Sequence, residues 1–444
     1  MSTAEPGPQP QSESSLSRDL RAAAESRRDA LLAFTRDLIA IATENPPGWR
    51  YRECVERIAA ELEGIGATPR IVEVPREQPP ARRPKAGAKA EPAPHEVARI
   101  PGTADYASGS LPRYCLLAEL GSEGPAFYLH GHYDVVPATA PDQFTPRVEE
   151  GRLYGRGSAD MKGGLAAMVH AMGALRDCGL PRHGRAILVA VPDEETGGAL
   201  GAEWLGRSGL LEHGAAGALV GEPTSGQIWL GHRGAYSLRV TVRGRGAHGI
   251  LQHEGVNAFE RMLEVAREVQ ALKVEVEKHE TRLPIEPQAA RASILMLGGE
   301  CSSGFTFNTV PARASFTIDR RTNPEEDFHA EKARLLDLFD RLRAQGAEID
   351  VEVLQEGEAS STDAGSGLAR TLAAAVAEVT GRTPPMTLCP GLLESRFYAR
   401  RGVPALAYGP GLLEQAHSPG EYVEVEGLTQ AAAAYALTVG RMMG

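Results

Sequence analysis

The chain has 444 residues, with 47 Lys and Arg against 58 Asp and Glu and a formal charge of −11. That length calls for two or three domains, and 42% hydrophobic with 24% charged residues is a globular composition, which excludes the disordered and fibrous classes. The negative balance argues against a nucleic-acid binder, and no apolar run reaches the roughly 20 residues of a membrane helix.

Residues 1–20 are polar and rich in Pro and Ser, and read as a disordered tail rather than a secretory leader. A helical pattern runs from about Ser17 to Thr43 and stops at Asn45-Pro46-Pro47-Gly48; a second helix follows from Tyr51 to Gly64. Residues 76–101 are dominated by Pro, Ala, Arg and Lys and cannot bury enough apolar surface to order themselves, so they read as a surface insertion. RYCLLAEL, PAFYLHGHYDVVP, RAILVAVP and GALVGEP then follow as strands, with DMKGGLAAMVHAMGALRDCGL as a helix between the second and third. This alternation predicts an α/β domain built on a mainly parallel sheet.

The pattern changes between residues 235 and 357. Strand, helix, two strands, helix and strand succeed one another there, which is the β-α-β-β-α-β order of a ferredoxin-like unit. The α/β alternation resumes from 358 to 444. A larger domain over 21–234 and 358–444 is therefore expected, interrupted by a smaller one over 235–357. Five scattered cysteines with no CxxC pair suit reduced thiols and a cytoplasmic setting.

Five short clusters carry the polar chemistry. In His130-Gly131-His132-Tyr133-Asp134, at the end of an apolar strand, His132 and Asp134 point to one side, and a carboxylate there can orient a ligating imidazole. A surface His–Asp pair would look the same, and His130 reads as a packing residue. Asp160, in the Gly-rich run Gly155–Gly164, lies near the start of a helix and would also serve as an ordinary N-cap. The glycine spacing there fits neither nucleotide-binding loop. Glu194 and Glu195 follow the strand RAILVAV, where α/β folds place their ligands, and adjacent glutamates can divide ligation from proton transfer. A solvated acidic turn is the alternative. Glu222 and His417 follow two further strands. Two His, one Asp and two or three Glu, without sulfur, suit zinc, cobalt or manganese, and five ligands point to two ions sharing a carboxylate.

The ordered set HGHYDVVP, GRGSADMKGG, PDEETGG, GEPT, GAHG, NTVP…DRR and AHSPGEY resembles the metallopeptidase family of acetylornithine deacetylase and succinyl-diaminopimelate desuccinylase. Aminoacylase, carboxypeptidase G and the carnosine dipeptidases are related to it. The resemblance implies an α/β catalytic domain with a ferredoxin-like lid and dimerisation domain, two divalent ions and a homodimer. It implies that His132 binds one ion with Asp134 orienting it, that Asp160 bridges, that Glu195 and His417 hold the second ion, and that Glu222 completes the first. Glu194 matches the general base. His248 of GAHG matches a histidine that reaches the partner's site, and Asn308 and Arg321 match positions that hold the substrate's backbone and carboxylate. The expected activity is deacylation of an N-acyl amino acid, with a dipeptidase or carboxypeptidase on the same scaffold as alternative. A non-catalytic binding protein is the reading from another class, but such proteins lose ligands or base and none is missing here. The chain departs from the family at Gly391-Leu392-Leu393-Glu394-Ser395-Arg396, where relatives carry Ser-Asp or Thr-Asp.

Overall fold

The computed structural model describes residues 15–75 and 111–444; the insertion expected at 76–101 lies outside the described residues. The chain divides into two compact units, one made of residues 1–226, 365–384 and 401–444, the other of 227–364 and 385–400. These bounds differ from the expected 235–357. The strand Ile228–His232 pairs with Ser360–Ser361 and with Met386–Cys389, which gathers those flanking segments into the second unit.

The first unit opens with helices, not with a tail throughout residues 1–20: Ser15–Ser26 is helical and is followed by Arg28–Ala40. The single helix expected over this stretch is broken at Arg27, whose φ of −96° and ψ of 0° leave the helical region. The helix Tyr51–Gly64 falls where its pattern placed it. Six strands of this unit run in the order Thr68–Glu73, Tyr114–Gly121, Arg185–Val191, Ala126–His132, Gly217–Val220 and Ala405–Ala407. The first two pairings are antiparallel and the remaining three parallel. The sheet is thus mixed, with the parallel core that the alternation implied.

Because the four core strands are parallel, their carboxyl ends lie along one edge. Register fixes this: His132 pairs with Val191, His130 with Val220, and Val220 with Ala407. Ala126–His132 is buried at every position, as expected for a central strand covered on both faces. In the helix Lys162–Asp177, residues 162 to 175 are all buried, so its apolar surface runs all round rather than along one stripe. Its glycines permit close backbone contact: a Cβ on Gly164 would collide with the carbonyl oxygen of Gly221, and one on Gly409 would meet that same oxygen. A small antiparallel ribbon of Arg147–Glu149, Arg152–Tyr154 and Tyr422–Glu424 completes the unit's sheets.

The second unit is ferredoxin-like. Its strands Gly234–Arg243, Ile294–Ser303, Arg313–Thr322 and Ile349–Gly357, numbered in chain order, lie in the antiparallel order 2-3-1-4. Alternate residues Tyr236, Leu238, Val240 and Val242 point to one face. There they join Met262, Val265 and Val269 of the helix Ala258–Val276 and Leu335, Leu338 and Phe339 of Phe328–Ala344 in one core. Both outer strands of this sheet, Ile294–Ser303 and Ile349–Gly357, are edges within the unit.

Candidate active site

The sequence places polar residues just after each of the four core strands, and the parallel register brings them together. His132 ends its own strand; Glu194 and Glu195 form a short 3-10 turn after Val191; Glu222 follows Val220; His417 follows Ala407 after a loop. Crevices beyond the carboxyl ends of such strands are where α/β sheets bind ligands.

His132 is completely buried. Its Nε2 lies 3.1 Å from Asp160 Oδ1 and 3.8 Å from Glu222 Oε1, and its Nδ1 is 3.0 Å from the Asp134 carbonyl and 3.4 Å from Asp134 Oδ1. Asp160 Oδ2 is 3.3 Å from His417 Nε2, which is in turn 3.1 Å from Glu195 Oε2. One carboxylate therefore stands between two imidazoles. Ligand atoms of His132, Asp160 and Glu195 all lie within 4.8 Å of one another. Asp160 is not a helix cap: the following helix starts at Lys162 after Met161, and the carboxylate turns to the two histidines instead.

Asp134 is fixed from several sides. Its Oδ2 accepts from Asn45 Nδ2 at 2.8 Å and from the Glu195 N–H at 3.2 Å, and its Oδ1 accepts from the Glu194 N–H at 3.2 Å. The segment carrying Asn45 runs beside Asp134 because Asn45 N–H donates to the Val135 carbonyl and Val135 N–H to that of Thr43. The sequence marks Asn45 only by the break Asn45-Pro46-Pro47-Gly48; its role as a donor to Asp134 comes from the fold. Lys162 is buried as well, donating to the carbonyls of Leu38 and Ile41 at 2.8 and 2.7 Å, and burial lowers its pKa to about 8.

The electrostatics show what the cluster demands. Burial opposes protonation of His132, but its bonds to Asp134 and Asp160 and the Glu222 charge outweigh that and hold its pKa well above the usual value. Asp160 and Glu195 push the pKa of His417 up to about 10. Burial alone would raise the Asp160 carboxyl, yet the two histidines lower it below the ordinary carboxylate range, while burial raises that of Glu195. Closely set carboxylates thus favour positive charge between them. A constellation that draws in positive charge, offers imidazole and carboxylate donors and contains no sulfur fits hard or borderline divalent ions.

The other three expected site residues belong to the second unit. His248 is exposed and its Nδ1 accepts from the Ile250 N–H at 3.3 Å, capping a 3-10 turn. Asn308 is exposed and adjacent, its carbonyl accepting from the Gly249 N–H at 2.7 Å. Arg321 lies on the strand Arg313–Thr322, with Nε 3.0 Å from both carboxylate oxygens of Asp319. In the variant loop, Glu394 and Arg396 are buried, and Arg396 Nη1 donates to the Leu393 carbonyl at 2.7 Å. His279, Glu326 and Glu331 also cluster, but the Arg320 guanidinium bonds both carboxylates, so that group is satisfied as an ion-pair lock.

Sulfur-free imidazole and carboxylate donors gathered at the carboxyl edge of a parallel sheet form a candidate site for divalent ions. Comparison with known proteins agrees: residues 128–441 match the model of peptidase family M20/M25/M40, and the chain belongs to that family. It is 33% identical over 248 residues to a probable succinyl-diaminopimelate desuccinylase of Staphylococcus epidermidis, an alignment covering 51% of this chain and 60% of that protein. It is 30% identical over 348 residues to the succinyl-diaminopimelate desuccinylase of Gluconacetobacter diazotrophicus, covering 74% and 84%. Among solved structures, an M20 family metallo-carboxypeptidase from Sulfolobus solfataricus superposes with a TM-score of 0.70 at 15% identity, over 93% of this chain and 99% of that one. A dinuclear metal-binding M20 peptidase of Bacillus subtilis does so at 0.60 and 15%, over 94% and 99%. These two likenesses concern the fold.

Proposed function

We propose that the protein is a metal-dependent amidohydrolase that removes the acyl group from an N-acyl amino acid or a related compound. The observation that carries this reading is the chain of contacts Glu222–His132–Asp160–His417–Glu195, in which one carboxylate lies between two imidazoles. His132, Asp160 and Glu222 would hold one divalent ion, and Asp160, Glu195 and His417 a second; zinc is the first choice, with cobalt or manganese as substitutes. Such a pair supplies Lewis acidity that makes water a nucleophile near neutral pH. Asp134, pinned by Asn45 and two backbone N–H groups, orients His132. Glu194 takes a proton from the attacking water and returns it to the leaving nitrogen as the C–N bond breaks, giving a carboxylate and an amine. Arg321 would hold the carboxylate of the amino-acid part through its planar fork.

The desuccinylase relatives favour a succinyl or similarly acidic acyl group. A dipeptidase or carboxypeptidase reaction is the second reading, because its substrates also present a carboxylate to Arg321. The active unit would be a homodimer. Phe305, Phe307 and Ile250 of the second unit are 94%, 103% and 82% exposed beside His248 and Asn308, more apolar surface than a lone loop would leave in water. A cytoplasmic setting rests on the scattered cysteines alone. The test is turnover of N-succinyl and N-acetyl amino acids and dipeptides by zinc- or cobalt-loaded protein. The N-acyl compounds should be cleaved best; a preference for dipeptides would transfer the assignment to the second reading.

A further inference from the structure

Two charged residues beside the metal-site loops remain unexplained by the reaction. Arg156 and Glu421 are each 1% exposed, 265 residues apart in the chain, and joined by a 2.7 Å bond from Nη1 to Oε2. Arg156 stands on the loop that leads to Asp160, and Glu421 on the loop that leaves His417. The ribbon brings them together: Tyr422 pairs with Tyr154, and the Gly155 N–H donates to the Glu421 carbonyl at 3.1 Å.

Each partner holds the loop of the other. Glu421 Oε1 accepts from the N–H groups of Ala159 and Asp160 at 3.0 and 3.1 Å. Arg156 Nη2 donates to the His417 carbonyl at 3.3 Å, and Nη1 to that of Ser418 at 3.4 Å. Gln143 adds two donations to the carbonyls of Ser418 and Pro419, both at 3.2 Å. His417 needs such support, for it sits at φ +63°, a left-handed conformation that non-glycine residues adopt seldom, with its side chain half-exposed. A buried ion pair is a poor source of net stability, since desolvating both charges offsets most of their attraction. Its value here lies in geometry.

We propose that Arg156 and Glu421 are positioning residues that hold Asp160 and His417 at the separation needed to share a divalent ion, and so set the affinity of the ion on the His417 side. The proposal rests on the two-ion reading above. Arg156→Lys keeps the charge facing Glu421 but cannot reach both carbonyls with one planar fork; Glu421→Gln keeps an oxygen for the amides but turns a second donor toward Arg156. The paired replacement Arg156→Met with Glu421→Leu removes the clamp without leaving a lone buried charge.

The experiment is calorimetric titration of metal-stripped full-length protein with zinc, alongside circular dichroism and melting of the same samples. Wild type should take up two ions. Each folded variant should lose roughly tenfold to a hundredfold in affinity for the ion that Asp160 shares with His417, the size of effect seen when partners of ligands are removed, with a smaller loss at the other ion because Asp160 serves it too. Folded variants that bind both ions as wild type does would overturn the clamp and leave the two-ion reading standing. A wild type that binds no zinc would overturn that reading and the clamp with it. If none of the three variants folds, the pair is a folding element and the proposal is wrong.

Discussion

In the first unit the functional candidates, apart from the half-exposed His417, are buried or partly buried and multiply bonded: His132 and Asp134 are wholly inaccessible, and Asp134 alone receives one side-chain and two backbone donors. In the second unit His248 and Asn308 are exposed, and their hydrogen bonds run to local backbone groups. Buried charge is tolerated only when every lone pair and proton is matched, and that matching fixes geometry to a fraction of an ångström. Exposed side chains on turns carry no such constraint and can meet a substrate or a second subunit. Damage to the first unit should therefore appear in metal content and chemistry, and damage to the second in kinetics or assembly with metal intact.

The largest effect should come from Glu194→Gln. Loss of a general base lowers kcat by about a hundredfold to ten-thousandfold, while bound metal measured by elemental analysis should hardly change. Glu195→Ala should instead lose one ion, because that carboxylate touches His417. Equal metal loss in both would erase the division of labour between the two.

Subunit exchange tests the exposed side of the comparison. Glu194→Gln and His248→Ala should each be inactive alone. Mixed under exchange, one site per hybrid dimer regains both groups, so activity should return to as much as about a quarter of wild type. Mixtures that exchange but stay silent would confine His248 to its own chain.

Arg321→Ala should lower kcat/KM on carboxylate substrates by roughly tenfold to a hundredfold, the worth of a charge-assisted hydrogen bond, and leave metal binding alone. Equal activity of wild type on carboxyl-amidated substrates would mean that Arg321 serves only its pairing with Asp319.

The last effect is on stability rather than turnover and concerns the energetic cost of burying polar groups. His170 is 1% exposed, its ring nitrogens make no hydrogen bond among the described residues although Nε2 lies 3.5 Å from Glu61 Oε1, and burial, aided by Arg27 and Arg57, lowers its pKa to about 4. The unfolded chain, with an ordinary histidine near 6.5, takes up a proton that the native state refuses. Stability should therefore fall as pH drops from about 6.5 to about 4, by no more than about 3 kcal/mol from this residue, and level off below. Denaturant melts of His170→Leu across that range should show a flatter slope than wild type.

Much of the candidate site could be read from the sequence because His132, Glu194, Glu195 and Glu222 lie at or just after apolar strands of the parallel sheet. His132, Glu195 and Glu222 need only that register to converge, whereas Asp160 and His417 arrive on loops tied together by the ribbon and the Arg156–Glu421 pair. What could not be read was pairing between distant segments. Nothing local distinguishes Glu421 from a solvated acid, or Arg156 from any loop arginine, and Asn45 drew notice only as part of a break. The break at Arg27 was hidden for another reason: the apolar pattern continues through it, and one residue's dihedral angles carry no periodic signal.

Replacing helical glycine by alanine is a standard route to a more heat-resistant enzyme, since it removes disorder from the unfolded chain at no expense to a helix. The helix Lys162–Asp177 offers three such glycines, 163, 164 and 173, and looks inviting. At Gly164 the added methyl would drive against the Gly221 carbonyl, next to Glu222. An engineer following the usual rule there would trade heat resistance for a displaced donor, so protein-stabilising libraries for this chain should leave that position fixed.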